Sequence, residues 1–212
     1  MSGRRAEAAR NDERVLRAAR EVLVMTPDAP LALVARRAGV GIGSLYRRYP
    51  SKEALVAQLC LEGVLEVEAQ ARVALDRARS YPWGAFVGFM TGALAEGAAL
   101  LVAGLAGTFS PNDELLAASD RLQGAVRELL ESVQAAGVVR PDVTAEDLAL
   151  LFRQLRAVQH DDAERAFTLR RRSLELTLQA FHASGAAPLP GPAPAWKDLA
   201  ASSTPWTRLA AP

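Results

Sequence analysis

The chain has 212 residues, half of them hydrophobic, which is enough to bury a core in one large or two small domains. Cys60, His160 and His182 are too few for a disulfide framework or a Cys/His zinc site, so we expect no metal and no cofactor. The net charge is only +1, yet residues 1–60 carry +5 and residues 61–212 carry −4. The basic part is the candidate polyanion-binding part, and the absence of an apolar signal region at the start favours a cytoplasmic protein.

Apolar residues recur at helical spacing almost everywhere, and no segment alternates convincingly as a strand would. This pattern predicts an all-α fold. A first helix is expected over residues 12–25, after a charged and mobile arm, and Pro27 and Pro30 end it. A second, short helix places four apolar residues on one side, namely Leu31, Val34, Ala35 and Ala38.

A tight turn joins the second helix to a third. Gly39 favours a helix end, and the third helix is expected from Ile42 to Arg48, just before Pro50. Ser51 is placed to cap a long fourth helix. The apolar stripe of that helix includes Cys60, which we interpret as a core residue and not a redox sensor.

The stretch from Trp83 to Phe109 has a single charge, Glu96, and is long enough to cross a bilayer. A carboxylate at the centre of a bilayer costs about 2.5–3.5 kcal/mol, and the glycines favour a bend near Glu96 and Gly97. We therefore expect two buried helices and no membrane contact. A membrane-anchored regulator is the alternative, which solubility without detergent would exclude.

Three later helices begin at pairs with capping-box spacing or close to it, namely Ser110 with Asp113, Thr144 with Asp147, and Asp161 with Glu164. After Gly185 the chain becomes a Pro/Ala-rich tail, in which Trp196 and Trp206 either pin the tail to the surface or face solvent. The expected domains are residues 1–54, which bind DNA, residues 55–185, which form a helical bundle, and the tail, residues 186–212.

The third helix has two different sides on a helical projection. The side expected to pack consists of Ile42, Leu45, Tyr46 and Tyr49. The other side consists of Gly43, Ser44, Arg47 and Arg48. A short helix that presents arginine and serine beyond a glycine turn suits the major groove, where arginine pairs with guanine and hydroxyls reach phosphates.

Residues 38–52 resemble the motif of the tetracycline-repressor (TetR) family, which runs roughly Ala-Gly-Val-x-x-Gly-Thr-Leu-Tyr-x-x-Phe-x-Ser-Lys. The coinciding residues are Ala38, Gly39, Val40, Gly43, Leu45, Tyr46, Ser51 and Lys52. Ser44 stands where threonine is usual, and Tyr49 stands where phenylalanine is usual. The resemblance is strong over about residues 12–60 and only architectural beyond them.

The resemblance implies that the partner is double-stranded DNA with an operator sequence. By position, Tyr46 and Lys52 are phosphate contacts, and Ser44 supplies a phosphate-binding hydroxyl. Arg47 is the base-reading position. The role of Ile42 stays open, because the projection turns it inward whereas the family often uses this position against DNA. The candidate DNA-binding residues are Arg36, Gly43, Ser44, Tyr46, Arg47, Arg48 and Lys52. The alternative is that the arginines only solvate the surface of a helical bundle.

The resemblance also implies a C-terminal domain that binds a small-molecule effector and forms a homodimer through its last two helices, within residues 145–184. The expected seam for the partner helices consists of Phe167, Leu174, Leu178 and Phe181. A two-fold dimer would read a near-palindromic operator.

An effector pocket is expected among the middle helices. Its candidate residues are Trp83, Phe86, Phe89, Met90, Glu96, Phe109 and Phe152. The alternative is that the apolar members are plain core and that Glu96 lies in water at the helix bend.

The function expected from these features is a dimeric transcriptional repressor that a small molecule releases from its operator. We expect no catalysis, because the carboxylate pair Asp161 and Asp162 precedes a helix, where capping explains it. The alternative function is a helical small-molecule-binding protein that keeps the helix-turn-helix shape without binding DNA.

Overall fold

The computed structural model describes residues 2–26, 29–105, 109–182 and 187–196, and this part of the chain is nearly all helical, as predicted. Apart from an isolated bridge between Val139 and His182, its regular structure consists of helices. They are α1 (Ser2–Met25), α2 (Leu31–Ala38), α3 (Ile42–Arg48), α4 (Lys52–Ala78), α5 (Pro82–Ala95), α6 (Ala98–Leu105), α7 (Asp113–Ala135), α8 (Ala145–Ala157) and α9 (Ala163–Phe181).

The first helix is longer than expected. We expected a mobile basic arm and a helix that starts near residue 12, but α1 already begins at Ser2. The early residues are mostly Ala, Arg and Glu, which have high helix propensity although they form no apolar stripe. The predicted start of the helix was wrong because apolar periodicity does not detect a helical segment without an apolar stripe.

The turn between α2 and α3 and the start of α4 have the local geometry that the sequence predicts. Gly39 has φ 67°, in the left-handed region that favours glycine, and its N–H bonds back to α2. The hydroxyl oxygen of Ser51 accepts a hydrogen bond from the N–H of Ala54 at 3.2 Å. Both predictions are confirmed. They could be made from the sequence because each feature depends only on neighbouring residues.

The apolar stretch that raised the membrane question is divided between two helices, as expected. α5 and α6 meet at an angle of 68°, and Gly97 in the break has φ 72°. Among the described residues, no single helix is long and apolar enough to span a bilayer, although this bent pair together has the length and composition.

Two of the three helix caps lie one or two residues after the predicted position. Thr144 and Asp147 form the predicted capping box at α8. At α7 the cap is Asn112 and not Ser110, and at α9 it is Asp162 and not Asp161. Each of these segments holds several capping side chains in a row, and only the one whose oxygen reaches the free N–H groups of the first turn can act.

The described residues form two apolar clusters. The N-terminal core joins α1, α2, α3 and the first half of α4, and it also takes in Leu101 from α6 and Leu115 and Ala118 from α7. The C-terminal core contains the second half of α4 together with α5 and residues of α6 to α9. Thus α4, α6 and α7 each contribute to both cores, while the predicted boundary at residue 54 stays a prediction.

The seam expected on α9 lies largely inside the protomer. Leu174 and Leu178 are 0% and 1% exposed in the C-terminal core, and the ring of Phe181 lies 6.4 Å from that of Phe86. Phe167 is 37% exposed. The expected seam was therefore wrong for its inner members, because a lone amphipathic helix does not show whether its apolar side meets its own bundle or a partner.

A charged contact fixes the end of α3 to α1. Arg48 donates from Nε and Nη2 to Oδ2 of Asp12 at 2.9 and 2.7 Å, and the Tyr49 hydroxyl donates to Oδ1 at 2.8 Å. Burial raises the pKa of Asp12, but the hydrogen bonds from Arg48 and Tyr49 outweigh it and leave the pKa below its usual value. Burial and the Asp12 carboxylate raise the pKa of Tyr49.

This contact predicts a pH dependence of stability. Because the folded pKa of Asp12 lies below its unfolded value of about 3.9, the contact stabilises the fold above that value and is lost as the pH falls through the folded pKa. We expect Asp12→Asn to lower the free energy of unfolding near neutral pH and to flatten its fall under acid. Urea unfolding at a series of pH values measures both effects.

Asp76→Asn, which changes an exposed carboxylate on α4, is the control and should keep the acid sensitivity of the unchanged protein. If Asp12→Asn showed the same acid profile as that control, Asp12 would not stabilise the α1–α3 contact.

Candidate DNA-binding surface and effector cavity

The outward side of α3 is wider than the helical projection predicts. Leu45 and Tyr49 are 1% and 4% exposed in the N-terminal core. Ile42 and Tyr46, expected on the packing side, are 42% and 49% exposed, so that part of the expectation was wrong. A helix of seven residues packs here through one i, i+4 pair, and its other side chains are left outside.

The candidate DNA-binding residues lie on or beside this outward side. Gly43, Ser44, Tyr46, Arg47 and Arg48 are exposed on α3, Arg36 is exposed on α2, and Lys52 is half-buried at the start of α4. The seven residues belong to three consecutive helices, α2, α3 and α4.

The cations of this surface differ in whether a carboxylate neutralises them. Within the described ranges, no carboxylate pairs with Arg36, Arg47 or Lys52, and Nη2 of Arg47 donates to the hydroxyl oxygen of Ser44 at 2.9 Å. Arg48 is bound to Asp12, as described above. The first three cations are therefore available to bind a polyanion outside the protein, whereas the charge of Arg48 is partly neutralised by Asp12.

The glycines of α3 leave its surface open. A Cβ added at Gly41 or Gly43 would meet nothing within 4 Å, and neither residue has a positive φ. The fold itself does not require glycine at these two positions. Their small size matters only to something that approaches from outside, which fits the close contact of a recognition helix with a groove.

A mainly apolar cavity of about 290 Å³ lies between α4 and α8. It is bounded by sixteen residues, which come from five helices and the tail. They are Val64, Val67, Phe89, Ala99, Val102, Ala103, Ser119, Leu122, Gln123, Val126, Ala145, Leu148, Ala149, Phe152, Arg153 and Trp196. Its size is near the lower end of the range for small-molecule pockets.

Two of the seven candidate effector residues, Phe89 and Phe152, line this cavity. Phe86 and Met90 are 0% exposed in the C-terminal core. Trp83 packs its ring against that of His182, with 4.8 Å between the centroids. Apolar spacing placed these side chains on helices correctly but did not show which of them border open space.

The remaining two candidates also lie away from the cavity wall. Phe109 packs against the N-terminal core. Glu96 lies at the α5–α6 break, where it is hydrogen-bonded to Gln70 of α4 and to Glu66. The hydrogen bond with Glu66 and partial burial raise the pKa of Glu96. Glu66 in turn binds Arg20 of α1 at 2.9 Å, so this group of polar residues links the helix break to the N-terminal domain.

Sequence reasoning missed the polar residues of the cavity and its tail residue. Ser119 and Gln123 of α7 and Arg153 of α8 looked like surface positions on amphipathic helices. Trp196 lies in a segment without periodicity, where one large aromatic residue in a Pro/Ala background was the only signal. Cys60, by contrast, is buried as expected, and burial raises the pKa of its thiol to about 12.

Three helices, α4, α6 and α7, belong both to the cavity wall and to the N-terminal core, and α6 does so within five residues. Ala99, Val102 and Ala103 of α6 line the cavity, while Leu101, 1% exposed, packs in the N-terminal core. At Gly63 of α4, a Cβ would lie only 3.1 Å from Cγ2 of Val102, so α4 and α6 are in close contact there. A shift of α6 cannot leave α4 and the N-terminal core unaffected.

Two family models match the chain. The model described as bacterial regulatory proteins, tetR family, matches residues 15–59, which include α2 and α3. The model described as the C-terminal domain of SbtR-like transcriptional regulators matches residues 81–182, which include α5 to α9. No curated protein sequence matches the chain.

Solved structures of regulators share the fold. A TetR transcription regulatory protein from Mycobacterium vanbaalenii is 31% identical, with 84% of this chain and 98% of that chain covered and a TM-score of 0.55. A TetR transcriptional regulator from Streptomyces coelicolor is 25% identical, covers 81% of this chain and 98% of its own, and has a TM-score of 0.57. The TetR-like regulator LfrR from Mycobacterium smegmatis also shares the fold. It is 24% identical, with 85% of this chain and 99% of that chain covered and a TM-score of 0.55.

These likenesses confirm the resemblance that residues 38–52 carry and extend it over both helical parts. The chain belongs to the TetR family of transcriptional regulators, with an N-terminal helix-turn-helix domain followed by a C-terminal helical domain.

Proposed function

We propose that the protein is a dimeric transcriptional repressor that binds a near-palindromic operator and is released from it by a small, mainly apolar effector. The observation that carries this proposal is the double position of α6, which lines the cavity with Val102 and enters the N-terminal core with Leu101. An effector that favours a displaced α6 therefore favours a displaced N-terminal domain.

Each residue of the DNA-binding surface is given a role by its chemistry. Arg47, which donates to Ser44 and pairs with no carboxylate among the described residues, reads a base, since a guanidinium can bind guanine bidentately. Tyr46, Lys52 and Ser44 contact phosphates, and Gly43 permits a close approach. Arg36 adds positive charge from α2, and Arg48 mainly orients α3 through Asp12.

The dimer is formed by the outward faces of α8 and α9. On α9 the buried side holds Leu174 and Leu178, whereas Leu169, Leu176 and Ala180 recur at helical spacing on the opposite side, with Leu176 65% exposed. Such a stripe suits two-fold packing with a second copy, within the residues 145–184 expected from the sequence. Two copies then place their α3 helices in successive major grooves, roughly 34–36 Å apart.

The release step follows from this geometry. A dimer whose recognition helices are spaced for two grooves loses affinity when either helix tilts, since both half-sites must be bound together. The close α4–α6 contact at Gly63 and the polar group joining Arg20, Glu66 and Glu96 provide two routes from the cavity side to the N-terminal domain. LfrR, which shares the fold, was crystallised in complex with proflavine.

The alternative function is a small-molecule-binding protein of the same shape without a DNA role. Footprinting of the protein on the DNA upstream of its own coding region separates the two. Protection of a near-palindromic site at low salt, which weakens when an effector is added, supports the repressor. If the folded dimer gave no protection at low salt, the alternative would stand.

The roles of Arg47 and Lys52 predict different losses. Arg47→Ala should lose about 1–3 kcal/mol of preference for the operator over unrelated DNA, because it removes a base contact. Lys52→Ala should weaken binding to all DNA and lower the salt dependence of the affinity by about one phosphate contact. Fluorescence anisotropy with both DNAs over a range of salt concentrations measures the two effects.

Arg79→Ala is the matched control for these variants. Arg79 directly follows α4, whose 27 residues span about 40 Å, so it lies far from α3. The control should bind as the unchanged protein does. Equal operator preference in Arg47→Ala and Arg79→Ala would refute the reading role of Arg47.

The outward stripe of α9 predicts that Leu176→Arg prevents dimerisation. A buried arginine without a carboxylate partner is costly at an interface, so the variant should sediment as a monomer and lose most of its operator affinity. Leu116→Arg, at a site on α7 that is 48% exposed, is the control and should remain a dimer. A dimeric Leu176→Arg variant would show that α9 pairs through another surface.

A further inference from the structure

The described part of the tail is fastened to the loop between α7 and α8. Nη2 of Arg140 donates to the carbonyl oxygen of Ala187 at 2.7 Å, and the N–H of Leu189 donates to Oδ2 of Asp142 at 2.8 Å. Arg140 and Asp142 also bind each other through two hydrogen bonds of 2.6 and 2.8 Å. We name these four residues the tail clasp.

The tail clasp is strongly ionic. The hydrogen bond from Arg140, with that from the Leu189 N–H, holds the pKa of Asp142 well below its usual range. Both charges therefore persist at neutral pH, and a Pro-rich segment that forms no helix before residue 196 is nonetheless fixed at its start. When one end of a short, stiff segment is fixed, its other end can reach only a limited range of positions.

Trp196 lies seven residues beyond Leu189, within about 25 Å of extended chain, and it forms part of the cavity wall. The indole is half-buried, and its N–H is fully covered without an acceptor in the described part of the chain. Covering an N–H without an acceptor is unfavourable. The indole therefore needs other contacts to hold it, and the cavity offers them on one side.

The wall that Trp196 completes indicates what would bind there. Aromatic rings reach the cavity from three separate elements, Phe89 from α5, Phe152 from α8 and Trp196 from the tail, and most of the other lining residues are aliphatic. Ser119, Gln123 and Arg153 add a few polar groups. This combination suits a compact ligand with an aromatic ring and one or two polar atoms.

We propose that the tail supplies one wall of the effector cavity and that Trp196 is a ligand-contacting residue that sets its preference for compact aromatic molecules. The proposal rests on the proposed function in using the same cavity. Arg140 and Asp142 act as positioning residues, because they lie in the clasp and not in the cavity wall. Ligand binding and seating of the tail are then coupled, since each provides contacts to the other.

The test uses 1-naphthol as the probe and the full-length protein, with binding measured by calorimetry. We expect Trp196→Ala to weaken 1-naphthol binding by about tenfold or more and Trp196→Phe to restore most of it, since the ring supplies the contact. Trp206→Ala, in the same tail, is the matched control and should not change the affinity. Ala149→Trp fills the cavity and should abolish binding, which locates the probe.

The outcomes separate this proposal from the repressor proposal. If Trp196→Ala and Trp206→Ala bound 1-naphthol equally well while Ala149→Trp did not bind it, the role of Trp196 would be overturned. The cavity would remain the binding site of 1-naphthol. Absence of 1-naphthol binding to the unchanged protein would overturn the ligand class. Neither result alters the footprint on DNA, whose absence alone would refute the repressor.

A second measurement tests the tail clasp without any ligand. In the variant Trp83→Phe/Trp206→Phe, Trp196 is the sole tryptophan, and its fluorescence reports its surroundings. We expect its emission to shift to longer wavelength when Asp142→Ala is added, because the released indole enters water. The same change should weaken 1-naphthol binding about threefold or more. An unchanged emission spectrum would show that the clasp does not position Trp196.

Discussion

The packing of α6 between two apolar cores is the constraint on which the rest of the structure depends. Its small residues Ala99 and Ala103 leave room for a cavity on one side, and Leu101 fills the N-terminal core. Closely packed interiors do not absorb displacement of a helix locally, so whatever alters the cavity side of α6 must be accommodated by the N-terminal core or by α4. The fold thus joins the cavity to the N-terminal core by packing alone.

The DNA-binding surface divides its charges between two tasks. Arg48 and Asp12 hold α3 against α1, which fixes the direction in which the helix presents its outer side chains. Arg36, Arg47 and Lys52 have no such carboxylate partner among the described residues, and in the proposed function they contact DNA. In the proposed function, this support of α3 by Arg48 would let Arg47 recognise a base with little loss of conformational freedom on binding.

The sequence predicted those features that depend on neighbouring residues and missed those that depend on tertiary packing. Gly39 and Ser51 mark the turn and the cap because their chemistry acts within a few residues. In contrast, Phe86 and Phe89 have the same character in sequence, yet one is core and the other borders the cavity. Likewise, Leu174 and Leu176 on α9 differ only in which side of the helix the bundle covers, and Trp196 reaches the cavity through a segment with no periodic pattern.

The most direct test of the coupling through α6 is to measure it in both directions with one ligand. The operator affinity is determined with and without saturating 1-naphthol, and the 1-naphthol affinity is determined with and without saturating operator DNA. Linkage requires that the two ratios be equal, and coupling through α6 predicts a weakening of about 5-fold to 150-fold in each. An operator affinity that stays unchanged while the cavity is saturated would contradict coupling through α6.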